Sequence, residues 1–247
     1  MKKKTRKVFL AVVVLGLLVY FGLSFFLGFV VKTAINRIAP KITQTTVVLS
    51  GARISPISGS GVLRSLTVAN PPGWSSGQAF YLGRIYVLMK PFSIFGDHII
   101  IDEIDIDQPE FNYETRLFSS NINDLLHNIG EYKSGSSAGA GDTTKEGHPI
   151  KFEVRHLRLT HGKVTLGVGA AALPLPLPTI ELHNLGTAEG GITSGQLALA
   201  VMKSVSGEIV GATTHAAGKI GSTAGAAATE GVKKAGEEIK KLLGGGK

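Results

Sequence analysis

Cysteine is absent from all 247 residues. That excludes a disulfide framework, a cysteine-ligated metal site and anchoring through a lipid-modified cysteine. It leaves the redox compartment open. There is no HExxH pair for a metalloprotease and no GxSxG nucleophile elbow. The glycines of Ser58-Gly59-Ser60-Gly61 precede a strand pattern and read as a turn, not a phosphate loop. Acidic residues are missing from the first 41 positions, where Lys2, Lys3, Lys4, Arg6, Lys7, Lys32, Arg37 and Lys41 all lie. Those eight account for the whole formal charge of +8, because the other 18 Lys and Arg balance 18 Asp and Glu. The basic balance therefore gives no reason to expect nucleic acid.

What the sequence does have is one long apolar run, VFLAVVVLGLLVYFGLSFFLGFVV, which begins at Val8 and ends at Val31. As a helix it is roughly 36 Å long at 1.5 Å per residue, enough to cross a hydrocarbon core of about 30 Å. A cleaved signal has an apolar region of about 7–15 residues and a small-residue cleavage site. Here the run is longer, and Phe29-Val30-Val31-Lys32 is a poor site. A retained single-pass anchor is expected. Five clustered basic residues precede it and three follow, so the positive-inside rule puts the N-terminus in the cytoplasm and the bulk outside.

The outer part alternates with period two. Residues 46–54, 62–68, 81–89, 98–101 and 104–106 read as short strands, with Phe111 and Tyr113 as a possible extension. Asn70-Pro71-Pro72-Gly73 and Pro109 punctuate them. Ser120 reads as the N-cap of a short helix carrying Ile122, Leu125, Leu126 and Ile129, with Gly130 as its stop. Strands resume at Ile150, with a bulge at Arg155-His156 and a hairpin at His161-Gly162. Leu173, Leu175 and Leu177 alternate with Pro174, Pro176 and Pro178, which confines this segment to an edge. Thr193 or Ser194 caps a helix with Leu197, Val201, Val205 and Ile209, and residues 229–243 read as a last amphipathic helix beyond the glycines at 211, 218 and 225. The expected fold is mainly β: a transmembrane helix, a curved antiparallel sheet, short amphipathic helices and a Gly/Ala-rich helical C-terminus. The expected divisions are 1–32 for the basic tip and anchor, 42–132 and 150–192 for two parts of the sheet, 133–149 for a flexible linker and 193–247 for the helical region.

The acidic group Asp102, Glu103, Asp105, Asp107 and Glu110 lacks the glycine and distal glutamate of an EF-hand loop and reads as a solvated strand face. The seven histidines are scattered, with His156 and His161 the pair closest to a turn. No metal, cofactor or enzyme constellation is expected. One apolar face persists through the strands. Leu66, Val68, Ile85, Val87, Met89, Ile104, Ile106, Phe152 and Val154 are the residues that would line it. It could be an ordinary core closed by the C-terminal helices, or a concave surface for acyl chains.

The order of segments bears on that choice. After the membrane helix come Ser58-Gly59-Ser60-Gly61, Leu66-Thr67-Val68-Ala69-Asn70-Pro71-Pro72-Gly73 and Leu82-Gly83-Arg84-Ile85-Tyr86-Val87. Ile99-Ile100-Ile101-Asp102-Glu103-Ile104-Asp105-Ile106 with Pro109, and Asn121-Ile122-Asn123-Asp124-Leu125-Leu126, follow. This arrangement resembles the N-terminal module of bacterial AsmA-like proteins over roughly residues 1–130, and residues 150–185 continue the pattern. The resemblance implies an inner-membrane anchor, a periplasmic β-groove and a role in moving phospholipid or keeping the envelope intact. The chain departs from large members in length. At about 4.8 Å per strand its sheet is too narrow to bridge an envelope alone. The expected function is a membrane-anchored, non-enzymatic lipid-binding or lipid-transfer accessory protein. The alternative is a structural or assembly factor that pairs its sheet edge or helices with an envelope protein or a second copy.

Overall fold

The computed structural model describes residues 2–75, 77–116, 119–134, 149–167 and 172–221. It begins with a single helix, α1, Lys2–Thr43. This helix does not end with the apolar run. Ile35, Ile38, Ala39 and Ile42 continue the stripe that Leu27 and Val31 begin, at spacings of three and four, and all of them pack on the core. Ten strands follow, interrupted by a 3₁₀ turn and one helix: β1 Val47–Ile54, β2 Ser60–Ala69, β3 Gln78–Met89, the turn Pro91–Phe95, β4 Ile99–Asp107, β5 Glu110–Tyr113, α2 Asn121–Ser134, β6 Lys151–Thr160, β7 Lys163–Leu166, β8 Leu173–Pro176, β9 Ile180–Leu185 and β10 Ile192–Thr193. A last helix, α3, spans Ser194–Gly221.

The strands form one mixed sheet that does not close into a barrel. Antiparallel pairing links β1, β2, β3 and β4, but β4 runs parallel to β6 and β5 parallel to β7. A wholly antiparallel, mainly β architecture is therefore corrected: helix and strand are roughly balanced. The cause is α2, which stands in the connection between β5 and β6. A parallel pair needs such a crossover, and a period-two pattern carries no information on strand direction. His161-Gly162 is likewise no hairpin, since β7 continues in the direction of β6. The expected bulge at Arg155-His156 is corrected: the register runs unshifted from Val154 to His156 against both β4 and β9, and only the inward-facing parity slips there, from Val154 to Leu157. As expected for its prolines, β8 has a strand on one side only.

Three of the strands are broken copies of one another's geometry. From Leu88 back to Phe80, β3 pairs with β4 and then β5 in one register, Arg84 with Asp107 and Tyr81 with Glu110, the register shifting only between Leu88 and Met89. β6 and β7 follow β4 and β5 at a constant offset of 53 residues. β9 and β8 then follow β6 and β7, Leu159 with Ile180 and Lys163 with Pro176. Between each pair of pieces lies one residue at which the inward-facing side chains change parity. Leu157 and Leu159 face the core before His161, and Val164 after it. Ile106 precedes Gln108, and Phe111 and Tyr113 follow. The same switch occurs at Ser65 in β2, between Leu63 and Leu66. Ser65, Gln108 and His161 all adopt left-handed backbone, with φ of 53, 52 and 53°, the conformation that reverses which face a strand presents. Gly83 in β3 lies opposite Gln108 in the same register, and Ser50 in β1 opposite Ser65. The switches make a straight crease across the sheet.

Local signals explain the helices. Ser120 caps α2, its Oγ accepting from the Asn123 N–H at 3.1 Å. Gly130 does not stop that helix, which continues to Ser134 because Ile129 and Tyr132 still pack on the core. Thr193 and Gln196 form a reciprocal capping box on α3. The Gln196 N–H donates to Thr193 Oγ1 at 3.3 Å, and the Thr193 N–H donates to Gln196 Oε1 at 2.8 Å. Helix α3 runs through Gly211, because Val205 and Ile209 are fully buried. Of the expected linker over 133–149, Lys133 and Ser134 belong to α2 instead, and residues 135–148 lie outside the described residues, as does the final helix at 229–243.

Candidate functional site

The apolar face of the sheet is covered along most of its length. Val68, Ile85, Ile106 and Val154 are 3, 6, 7 and 0% exposed, and Leu66, Val87 and Ile104 pack against the same cluster. Ile122, Leu125 and Ile129 of α2 and Met202, Val205 and Ile209 of α3 complete it. Here the ordinary-core account describes the middle and far end of the face. The near end differs. Met89 and Phe152, the last two of the expected lining residues, are only half-buried. In register they fall beside Ile99, Ile101 and Ile192, which are half-buried too.

That end also carries the exposed apolar side chains Ile57, Phe92 and Ile94, at 78, 84 and 47%. Ile57 lies in the β1–β2 turn and the other two in the 3₁₀ turn. The turns touch: a Cβ on Gly59 would collide with the Met89 carbonyl and meet the Pro91 ring. Residues 90–100 are tied across by the Lys90 N–H to Ile100 O at 2.9 Å.

Helix α1 fixes where this end sits. It runs antiparallel along the open edge of β1. Tyr20 Oη lies 3.2 Å from Ser55 Oγ, and Ser24 Oγ donates to the Ile54 carbonyl at 2.6 Å. Asn36 behaves as a missing strand. Its Oδ1 accepts from the Leu49 N–H at 2.6 Å and its Nδ2 donates to the Leu49 carbonyl at 3.2 Å. Gly28 lies so close to β1 that a Cβ there would strike the Ala52 carbonyl. A free edge is thereby covered. Tyr20 is near the middle of the apolar run, so only the residues before it project beyond the sheet. The 12 residues from 8 to 19 are exposed; at 1.5 Å each they reach roughly 18 Å, short of a bilayer's core.

A buried polar network was not legible as such in the sequence. Asn121 donates through Nδ2 to Asn70 Oδ1 at 2.8 Å and to the Asn112 carbonyl at 2.7 Å. Its Oδ1 accepts from the Glu114 N–H at 3.0 Å. Glu114, 4% exposed, accepts from Asn70 Nδ2 at 3.2 Å and from Ser75 N–H and Oγ at 2.9 and 2.7 Å. Trp74 Nε1 donates to Asp124 Oδ2 at 2.8 Å, and Arg116 lies over the Trp74 ring while bonding the Gly73 carbonyl. The Asn-Pro-Pro-Gly turn and the start of α2 are thus one staple at the far end. Asn70 and Asn121 were visible only as turn and helix-start residues, because their partners are distant in sequence. Beside them Tyr113 is buried, which pushes its phenol above the ordinary tyrosine range.

The acidic strand is half of a charge ladder. Asp102 pairs with Arg155 at 2.9 Å, Asp105 with Arg158 at 2.8 Å, Asp107 with His161 at 2.7 Å and Glu110 with Lys163 at 2.8 Å. Asp105 with Arg158 and Glu110 with Lys163 are directly across parallel strands, and such opposite charges favour this register over any slip; Asp107 reaches one residue past its partner Thr160 to His161. The His161 hydrogen bond holds Asp107 below the ordinary carboxylate range. Arg155 does the same for Glu153, which also bonds His98 Nε2 at 3.1 Å. The arginines are raised in return, Arg155 chiefly by its hydrogen bond to Glu153 and Arg158 by that to Asp105. His156 and His161 are not brought together. His161 is 77% exposed on Asp107, whereas His156 stacks on His183. No protein-family model matches this chain, and no curated protein sequence matches it either.

Proposed function

We propose that the chain is a membrane-anchored, periplasmic lipid-binding or lipid-transfer accessory protein of the bacterial envelope, without enzymatic activity. The observation that carries this reading is the position of the near end. The middle and far end of the apolar face pack into one core with α1, α2 and α3, which Met89 and Phe152 at the near end do not join, and α1 holds that end level with Tyr20, midway along the apolar run. A span needs about 20 apolar residues. If residues 8–31 cross an inner membrane with the N-terminus inside, then Ile57, Phe92 and Ile94 enter the outer leaflet's acyl region. Met89 and Phe152 stand behind them as the entrance to the apolar face. An acyl chain entering there passes from lipid to protein without crossing water, and farther entry requires α2 and α3 to part from the sheet.

The test uses the full chain in vesicles containing a photoactivatable phospholipid. Crosslinks should map to the near end and along Val87 and Ile104. Phe92→Asp should lower the yield severalfold while the circular dichroism spectrum stays unchanged. Crosslinks confined to residues 8–31 would sink the lipid reading. They would favour the second one, a structural or assembly factor. The closed middle of the face supports that alternative, as does the β9 edge, where β6 is the only strand neighbour among the described residues.

A further inference from the structure

The antiparallel register of β6 and β9 sets His156 directly opposite His183. Glu181 is two residues from His183 and so shares its face of the strand. The imidazoles stack 4.8 Å apart and only 4° from parallel. One nitrogen of each ring and a carboxylate oxygen of Glu181 all lie within 4.8 Å of one another. His183 Nε2 is 3.8 Å from Glu181 Oε2, too long for a hydrogen bond. His156 Nε2 is buried with no hydrogen-bond partner. A buried ring nitrogen left unsatisfied is costly and calls for a reason. Arg158 lies directly across from Glu181 and attracts it, but its guanidinium is hydrogen-bonded to Asp105, as that of Arg155 is to Asp102.

We propose that His156, His183 and Glu181 form a site for a divalent transition metal, with Zn²⁺ the best match. Two imidazoles and one carboxylate are a three-ligand zinc set that leaves a position for water. Zinc holds nitrogen and oxygen at about 2.0–2.2 Å, so the donors must close to about 3.3 Å apart. His183 and Glu181 are more than 45% exposed at 59 and 47%, and rotate freely enough to do so. Bound metal would engage one nitrogen of each ring and clamp β9 to β6, its only strand neighbour among the described residues. That strand also supports α3 through Ile180 and Leu182 in the core. The metal would thus fasten one of the strands on which α3 rests.

The test uses the untagged full chain in detergent micelles, with Zn²⁺ titrated against a chromophoric chelator and Co²⁺ as a spectroscopic probe. One equivalent should bind, with a four- or five-coordinate Co²⁺ absorption band. His183→Ala, a change at an exposed position, should weaken binding at least about tenfold, and Glu181→Gln by a smaller factor. His156→Ala should abolish the band. His127→Ala, which removes the exposed His127–Glu131 pair on α2, should change nothing. Should His156→Ala unfold the chain, His183→Ala decides alone. Binding that survives His183→Ala, binding lost in His127→Ala, or the absence of any Co²⁺ band would each overturn the site.

Discussion

The two halves of helix α1 are alike in composition and opposite in fate. Residues 8–19 are apolar and face outward on all sides. From Tyr20 on, an equally apolar stretch lies along a strand. Hydrophobicity does not separate them, because both halves offer Leu, Val and Phe. The docked half has Ser24, Gly28 and Asn36 on one face, spaced so that a hydroxyl, a bare Cα and an amide meet successive backbone groups of β1. An edge strand presents unpaired N–H and C=O groups. A helix can cover them only with polar atoms and close approach. The same residues suit helix contacts in lipid, where small side chains permit proximity.

That contrast can be broken in graded steps. The largest effect is expected from Gly28→Leu. Its Cβ would meet a backbone carbonyl that cannot rotate away, so the helix must lift from β1, at about 3 kcal/mol. A lowered thermal midpoint of the full chain in detergent, with faster amide exchange in β1, is the readout. Asn36→Leu keeps the apolar stripe and strands both polar groups of Leu49, an expected cost of about 2 kcal/mol. Denaturant titration measures it, and an unchanged midpoint would mean that water replaces the amide. Ser24→Ala removes one hydrogen bond, at about 1 kcal/mol.

Acid sharpens the comparison. The docked half uses neutral groups, whereas β4 and β6 are held by the charge ladder. Asp107 and Glu153 have depressed folded values, so their contribution is present above the ordinary carboxylate range. It is lost as pH falls below about 4 and through those folded values. Amide exchange should therefore rise between β4 and β6 at acid pH before it rises at the helix contact. Loss of the helix contact first would contradict the assignment. Gly22→Leu is the smallest change: open space surrounds Gly22, and the midpoint should move by less than about 0.5 kcal/mol.

Much of this was legible in order but not in space. The apolar run, the strand segments, the Ser120 and Thr193 caps and the proline-bound edge were readable, because each is a local pattern; the slip in alternation at Arg155-His156 was readable too, but it is no bulge, since the register does not shift there. Parallel pairing of β4 with β6 was not, since alternation is blind to direction. Nor was the role of Asn36, which looks like one polar residue beyond an anchor. His161-Gly162 looks like a hairpin because a left-handed residue beside glycine usually turns a chain. Here the same conformation only flips the faces of a strand that keeps its course. The face residues Leu66, Val68, Ile85, Val87, Ile104 and Ile106 were grouped correctly by period two only because the parity switch at Ser65 falls before the two in β2 and the one at Gly83 before the two in β3. Met89 and Phe152 were grouped with them, but their half-exposure is not visible in the alternation.

The crease constrains how this chain can change over generations. A residue lost at Gln108 alone would turn Phe111 and Tyr113 outward while Leu82 and Val164 stayed in place. The same holds at Ser65 and His161 for their own strands. No single insertion or deletion along that line can be neutral. Adding a strand that already carries the switch disturbs none of its neighbours. Descendants of such a sheet would therefore be expected to widen by whole strands while keeping each strand's count fixed, so that length differences between relatives would collect in the turns at either end.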